Sequence, residues 1–125
     1  MSALHAHLVF VTKYRRAVFT DTMLTYCEHT MRDVGADLNV ELVEFNGEAD
    51  HAHLLVAYPP TLAIAVLAQR LKGRTAYAVR REFTGICVRA RMRSHLWSPS
   101  YFAASCGGAP LSIIKQYIEG QARPL

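Results

Sequence analysis

Four apolar, β-rich stretches, two long helical stretches between them and a third near the carboxy end follow one another as β-α-β-β-α-β-α. That order predicts an α+β fold. It is a ferredoxin-like, RRM-like split βαβ antiparallel sheet with an extra carboxy-terminal helix that carries Tyr117. With 125 residues, 51% of them hydrophobic, the chain reads as a single domain, 1–125, large enough to bury an ordinary core. It shows no internal repeat, linker or low-complexity tract.

Residues 4–12 are apolar and β-branched and form the first expected strand. Thr20 or Asp21 can cap a helix that runs to about residue 35, where Gly35 is expected to end it. Leu38, Val40 and Leu42 then alternate with Asn39 and Glu41, so residues 38–45 have the period of a half-buried strand. Asn46-Gly47 is a hairpin signal leading into an apolar strand from His51 to Tyr58. Pro59-Pro60-Thr61 opens a helix reaching about Phe83, with Leu67, Ala68 and Leu71 as its buried stripe. Thr84 to His95 has no clean period. A last strand lies around Trp97 to Ser105. Gly107-Gly108 follows, an expected hinge, and Pro110 starts the final helix.

Composition narrows the function classes. The longest apolar run, Leu62 to Ala68, is far too short to span a bilayer. Near the amino end the apolar run comes first and Lys13, Arg15 and Arg16 follow, the reverse of a secretory signal. Cys27, Cys87 and Cys106 are odd in number and scattered, which suits a reducing cytoplasm better than disulfides or a zinc knuckle. The net charge of +4 is unevenly spread: eight basic residues between Arg70 and Arg93 face Glu82 alone, a local balance of +7. Such a block is the footprint expected for a polyanionic partner. Its bland reading is a solvated surface.

The chemistry-bearing residues lie elsewhere. On a strand, His51 and His53 of Asp50-His-Ala-His-Leu-Leu55 point the same way, about 7 Å apart, and two such imidazoles can grip one divalent cation. His5-Ala-His7 on the first strand is a second pair, so the spacing alone is not specific. Asp50 and Glu48 favour His51 and His53, because a carboxylate can take the distal N–H of a ligating imidazole. On the final helix Tyr117 and Gln121 stand four apart, which places a phenol beside a carboxamide. Taken singly, Tyr117 reads as an amphipathic tyrosine flanking Leu111, Ile114 and Ile118, and Gln121 as a surface residue. Taken together, a metal pair, a phenol and an oxygen ligand point to phosphodiester chemistry. No phosphate-cradling Gly-x-x-x-x-Gly-Lys run is present.

Four runs, in matching order from about residue 4 to residue 121, carry a resemblance. They are His5-Ala-His-Leu-Val-Phe-Val-Thr-Lys-Tyr-Arg-Arg16, Asp50-His-Ala-His-Leu-Leu55, Leu96-Trp-Ser-Pro-Ser-Tyr-Phe102 and Gly107-Gly-Ala-Pro110 with Gln116-Tyr-Ile-Glu-Gly-Gln121. They resemble the small single-tyrosine HUH transposases, the TnpA-like enzymes of bacterial and archaeal insertion sequences that move as single-stranded DNA. The resemblance implies His51 and His53 as the HUH histidines, Tyr117 as nucleophile and Gln121 as third ligand of Mg²⁺ or Mn²⁺. It implies a homodimer whose active sites are shared between subunits, single-stranded DNA hairpins as substrate, and a 5′-phosphotyrosine intermediate. Ala52 is smaller than the aliphatic residue common between such histidines, and Cys106 before the glycines is atypical. Gln121 stands four residues from the last residue of the sequence, where fraying is expected to weaken a ligand.

Phosphate-binding candidates are Lys13, Arg15 and Arg16, Lys72 and Arg74, and Arg89, Arg91 and Arg93, with Tyr14 as a stacking platform. Arg89, Arg91 and Arg93 alternate with Val88, Ala90 and Met92 and are expected along one face of an extended segment. Three alternatives stay open. One is a catalytically silent single-stranded nucleic-acid-binding module of the same fold. Another is an HUH nuclease of replication-initiator or relaxase type. The weakest is a small-ligand regulatory ferredoxin-like domain, which would not bind single-stranded DNA in a salt-dependent way.

Overall fold

The computed structural model describes residues 3–92, 94–107 and 111–124. Strand β1 (Leu4–Thr12) leads through a 3₁₀ turn (Lys13–Arg15) to helix α1 (Asp21–Asp37). The hairpin β2 (Glu41–Glu48) and β3 (His51–Tyr58) precedes α2 (Ile64–Glu82), the short α3 (Thr84–Arg89), β4 (Trp97–Ser105) and α4 (Leu111–Glu119). The sheet order is β2-β3-β1-β4 with every pairing antiparallel. This is the expected split βαβ arrangement with its extra helix.

Strand alternation divides the apolar residues between two faces. Ala6, Leu8 and Phe10 of β1 join Leu54 and Val56 of β3 against Met23, Leu24 and Met31 of α1 and Leu67, Ala68 and Leu71 of α2. The opposite face carries a smaller cluster, in which Leu55 and Cys106 meet the fully buried Ile118 of α4, flanked by Val43, Leu111 and Ile114. Burying a side chain of that size contributes about 1.5–3 kcal/mol, so Ile118 is the main apolar anchor of α4. The sheet thus separates α1 and α2 from α4.

Several boundaries differ from expectation. Thr20 caps α1 as expected, its hydroxyl accepting from the Met23 N–H at 3.2 Å. Gly35, however, lies inside that helix, and a Cβ there would sit 2.8 Å from the Val40 carbonyl. The glycine serves a close approach rather than a helix stop. Asn46 and Gly47 form no turn; they are paired strand residues opposite His53 and Ala52, and the chain reverses at residues 49–50. Gly47 is needed because a Cβ would stand 2.5 Å from the His51 carbonyl. Pro59-Pro60-Thr61 precede α2 rather than opening it.

Arg89 and Arg91 do not line an extended segment. Residues 84–89 are helical, Arg91 has φ of 61°, and Val88 is exposed while Cys87 and Met92 are buried. The apparent alternation is therefore not the burial pattern, because burial follows a helical turn and a left-handed residue. Arg93, Gly108 and Pro110 lie outside the described residues.

Candidate active site

Histidines 51 and 53 project from β3 onto the α4 face, with ring centroids 5.0 Å apart. Each ring has one nitrogen fixed by a neighbour. His51 Nδ1 lies 2.7 Å from Asp50 Oδ1, which puts the proton of the neutral ring on Nδ1 and leaves the Nε2 lone pair free. That Nε2 faces Gln121 Oε1 at 3.5 Å. Gln121 Nε2 donates to the Tyr117 carbonyl at 3.3 Å, so the amide orientation that aims its oxygen at His51 has a hydrogen-bond basis.

Two acceptors therefore face one another. Separations near 3 Å are expected between adjacent ligands of a cation bound at 2.0–2.1 Å, so the pair has the spacing and donor chemistry of a cation site. Among the described residues no three His, Cys, Asp or Glu side chains gather about one metal position. The carboxamide oxygen of Gln121 could supply a further donor beside His51.

His53 is 6% exposed, and its Nδ1 pairs with His7 Nε2 at 3.0 Å, the two rings stacked at 5.2 Å. Burial, then the proximity of His51 and of His7, lowers the His53 pKa to about 4, so the ring is neutral and able to ligate at pH 7. Burial also lowers that of His7. In Asp50, burial acts to raise the pKa, but the His51 hydrogen bond, the charge of His51 and Arg15 outweigh it and hold the carboxyl below its ordinary value. Glu48, the other carboxylate expected to serve the histidines, instead accepts from the Ala122 N–H at 3.3 Å.

Tyr117 stands over this group from α4. Its ring lies 5.5 Å from that of His53 and 6.1 Å from that of His7, and the residue is 57% exposed. Ile118 fills the apolar cluster while Tyr117 remains more than half exposed. Gln121 lies just past α4 rather than within it, although its N–H still donates to the Ile118 carbonyl at 3.1 Å. One chain thus brings the histidines, the carboxamide and the phenol together.

In the sequence His7 stands out only as half of a second histidine pair, and Phe102 only as the end of the Leu96–Phe102 run. Phe102 pairs with Val9, lies 6.1 Å from His7 and is 55% exposed, so it adds an aromatic surface beside His7. The signal for His7 was its place two residues from Val9, which pairs with His53 once β1 and β3 are neighbours.

Residues 1–121 match the family model described as "Transposase IS200 like". The chain belongs to the IS200-like transposases. Such a protein is an enzyme that acts on DNA. A curated relative, the ISDra2 transposase TnpA of Deinococcus radiodurans, is 30% identical over 120 residues, spanning 94% of this chain and 84% of that protein. A crystal structure of a candidate transposase from Deinococcus radiodurans R1 superposes with a TM-score of 0.77 at 29% identity, covering 98% of this chain and 94% of the other. A REP-associated tyrosine transposase bound to a REP hairpin has a TM-score of 0.66 at 12% identity, over 95% of this chain and 64% of its own, and shows the shared fold.

The basic residues of this transposase fall into separate groups. Lys13, Tyr14 and Arg91 line one groove of about 520 Å³ with Val88, Ser94 and His95. Tyr14 is 76% exposed at φ of 60°, between Lys13 Nζ at 5.6 Å and Arg16 Cζ at 5.3 Å from its ring centre. A left-handed backbone at a bulky residue is strained, and here it projects the ring into solvent. Arg15 Nε lies 3.5 Å from Asp50 Oδ2, which links this group to the His51 carboxylate. Arg16 donates to the Ala90 carbonyl at 3.3 Å. Lys72 is engaged by the Ser98 and Pro99 carbonyls at 2.7 and 3.2 Å, and burial lowers its pKa. Arg74 is exposed on α2, across the sheet from Tyr117. Arg89 is exposed at the end of α3.

Proposed function

We propose that this transposase cleaves and rejoins single-stranded DNA at hairpin-marked element ends, through a 5′-phosphotyrosine formed on Tyr117. The carrying observation is the convergence of an exposed phenol with two imidazoles and a carboxamide oxygen. His51 Nε2, His53 and Gln121 Oε1 would hold Mg²⁺ or Mn²⁺. When bound, the cation supplies polarisation of the scissile phosphate and offsets charge that develops on it. Asp50 and His7 orient the imidazoles.

The Tyr117 oxygen forms a bond to phosphorus as the P–O3′ bond breaks; the phenol loses its proton and the departing 3′-oxygen takes one up. Since one phosphodiester replaces another, no nucleotide is consumed. The later attack of a 3′-hydroxyl on the phosphotyrosine reverses these steps and rejoins the strand. Tyr14 and Phe102 offer stacking faces for unpaired bases, and Lys13, Arg15, Arg16 and Arg91 offer phosphate contacts.

The active form is proposed as a homodimer that shares its sites. Strand β4 supports this: among the described residues it ends the sheet, and apart from the Ser98 and Pro99 carbonyls taken by Lys72 its outer edge can pair with a second copy. Mixing His53→Ala with Tyr117→Phe protein restores adduct formation if sites are shared and does not if each chain serves itself. A cytoplasmic location fits three buried free cysteines. Among the described residues no helix is long and apolar enough to cross a membrane.

The test is a cleavage assay on hairpin-bearing single-stranded DNA with Mg²⁺ or Mn²⁺. Wild type is expected to form a covalent adduct, and Tyr117→Phe to bind the hairpin without cutting. Binding without cleavage by wild type supports the silent-module alternative instead.

A further inference from the structure

Beyond α4 the chain does not trail away; it is fastened to β2 and α1. Helix ends leave carbonyls without intrahelical partners. Here Asn46 Nδ2, from β2, donates to the Glu119 and Gln121 carbonyls at 3.2 and 3.1 Å. Arg123 then locks Asn46 in place, with its Nε donating to Asn46 Oδ1 at 2.7 Å. The rest of the guanidinium reaches α1, donating to Asp21 Oδ1 at 3.1 Å, Thr25 Oγ1 at 3.0 Å and Glu28 Oε1 at 3.3 Å. The Phe45 ring lies beneath it at 5.9 Å. None of these partners belongs to the histidine group.

We propose that Arg123, acting through Asn46, is a positioning residue of the active site. It forms a latch that sets where Gln121 and Tyr117 stand over the histidines. This inference rests on the function proposed above and names the element that assembles its site. Gln121 follows Gly120 and lies outside α4, where a free tail would move. Its backbone is instead held at the carbonyl by Asn46, and from that fixed point its side chain spans to His51 Nε2 at 3.5 Å and to the Tyr117 carbonyl. Arg123 supplies four donor contacts in a planar fork. A lysine has one point of charge and cannot meet Asn46, Asp21 and Glu28 together.

The test compares wild type with Arg123→Ala and Arg123→Lys in the full chain. Amide hydrogen exchange is measured without metal, Mn²⁺ affinity by EPR titration, and kcat and KM with hairpin DNA. Arg123→Ala is expected to speed exchange across residues 111–121 at least tenfold while β1 and β3 stay protected. It is also expected to weaken Mn²⁺ binding about 10–100-fold, the range found when groups that orient ligands are lost. The loss should appear in kcat rather than in KM, and Arg123→Lys should fall between the two. Unchanged exchange over α4 together with unchanged Mn²⁺ affinity overturns the latch. Should the alanine variant lose core protection as well, the lysine variant gives the same reading, and wild-type exchange there overturns the proposal. If wild type forms no DNA adduct, the proposed function fails while the metal-free exchange still decides the latch.

Discussion

Changing Asp50 to asparagine keeps its shape and removes its charge. Asp50 Oδ1 accepts from His51 Nδ1 at 2.7 Å, and Oδ2 lies 3.5 Å from Arg15 Nε. A hydrogen bond to a charged group is worth about 1.5–3 kcal/mol and a neutral one about 0.5–1.5, so the substitution costs on the order of 1–1.5 kcal/mol. That difference alone is about tenfold in cation affinity. An asparagine can also turn its NH₂ toward Nδ1, which drives the proton to Nε2 and closes the nitrogen that faces Gln121. The combined expectation is a 10–100-fold weaker Mn²⁺ Kd in isothermal titration calorimetry. The melting temperature of the metal-free protein should fall by only a few degrees, because the weakened bond is already made without the cation while the Asp50 carbonyl that receives Thr12 is untouched. Adduct formation should recover substantially at saturating Mn²⁺. Affinities within twofold of wild type for both Asp50→Asn and Asp50→Ala would refute the role of the carboxylate.

Other substitutions reach the remaining parts of the site. His7→Phe removes the partner of His53 Nδ1 at 3.0 Å and is expected to weaken Mn²⁺ binding by about tenfold, read by the same titration. Gly47→Ala places a Cβ 2.5 Å from the His51 carbonyl and 3.2 Å from Ala52 Cα, both backbone, so it should cost about 1–3 kcal/mol in denaturant unfolding. Tyr14→Ala should weaken single-stranded DNA binding by about 1–3 kcal/mol in fluorescence anisotropy without altering Mn²⁺ affinity. In the metal-free protein, NMR titration should find His53 protonating near pH 4. Because folding lowers that pKa below the ordinary 6.5, the unfolded chain binds the proton first; stability is full above about pH 6.5 and falls as pH drops toward 4.

Much of this was legible in the sequence because the period of each element was clear. The last strand lies where its apolar stretch placed it, from Trp97 to Ser105. The buried stripe of α2 starts with the expected Leu67, Ala68 and Leu71 and continues through Thr75 and Val79. The shared face of His51 and His53 followed from strand alternation alone. What misled were residues whose purpose is tertiary. Asn46-Gly47 looked like a turn because those residue types favour one. In the fold Asn46 holds the Glu119 and Gln121 carbonyls, a purpose that exists only once α4 is docked, and Gly47 admits the His51 backbone across the β2–β3 pair. Arg89 and Arg91 alternated with apolar residues by coincidence of helix and left-handed turn. His7 was set aside because its partner lies 46 residues away on the neighbouring strand. Arg123 carried no local signal at all; its partners lie 77 to 102 residues distant.

The covalent link itself is the most direct thing to measure. Wild type is incubated with Mn²⁺ and a hairpin-bearing single strand, digested with trypsin and nuclease, and the modified peptide sequenced by mass spectrometry. A nucleotide joined through its 5′-phosphate to Tyr117, absent from His51→Ala and His53→Ala protein, is the predicted result. A nucleotide on any other residue, or an adduct on Tyr117 that forms equally well without both histidines, would contradict the account.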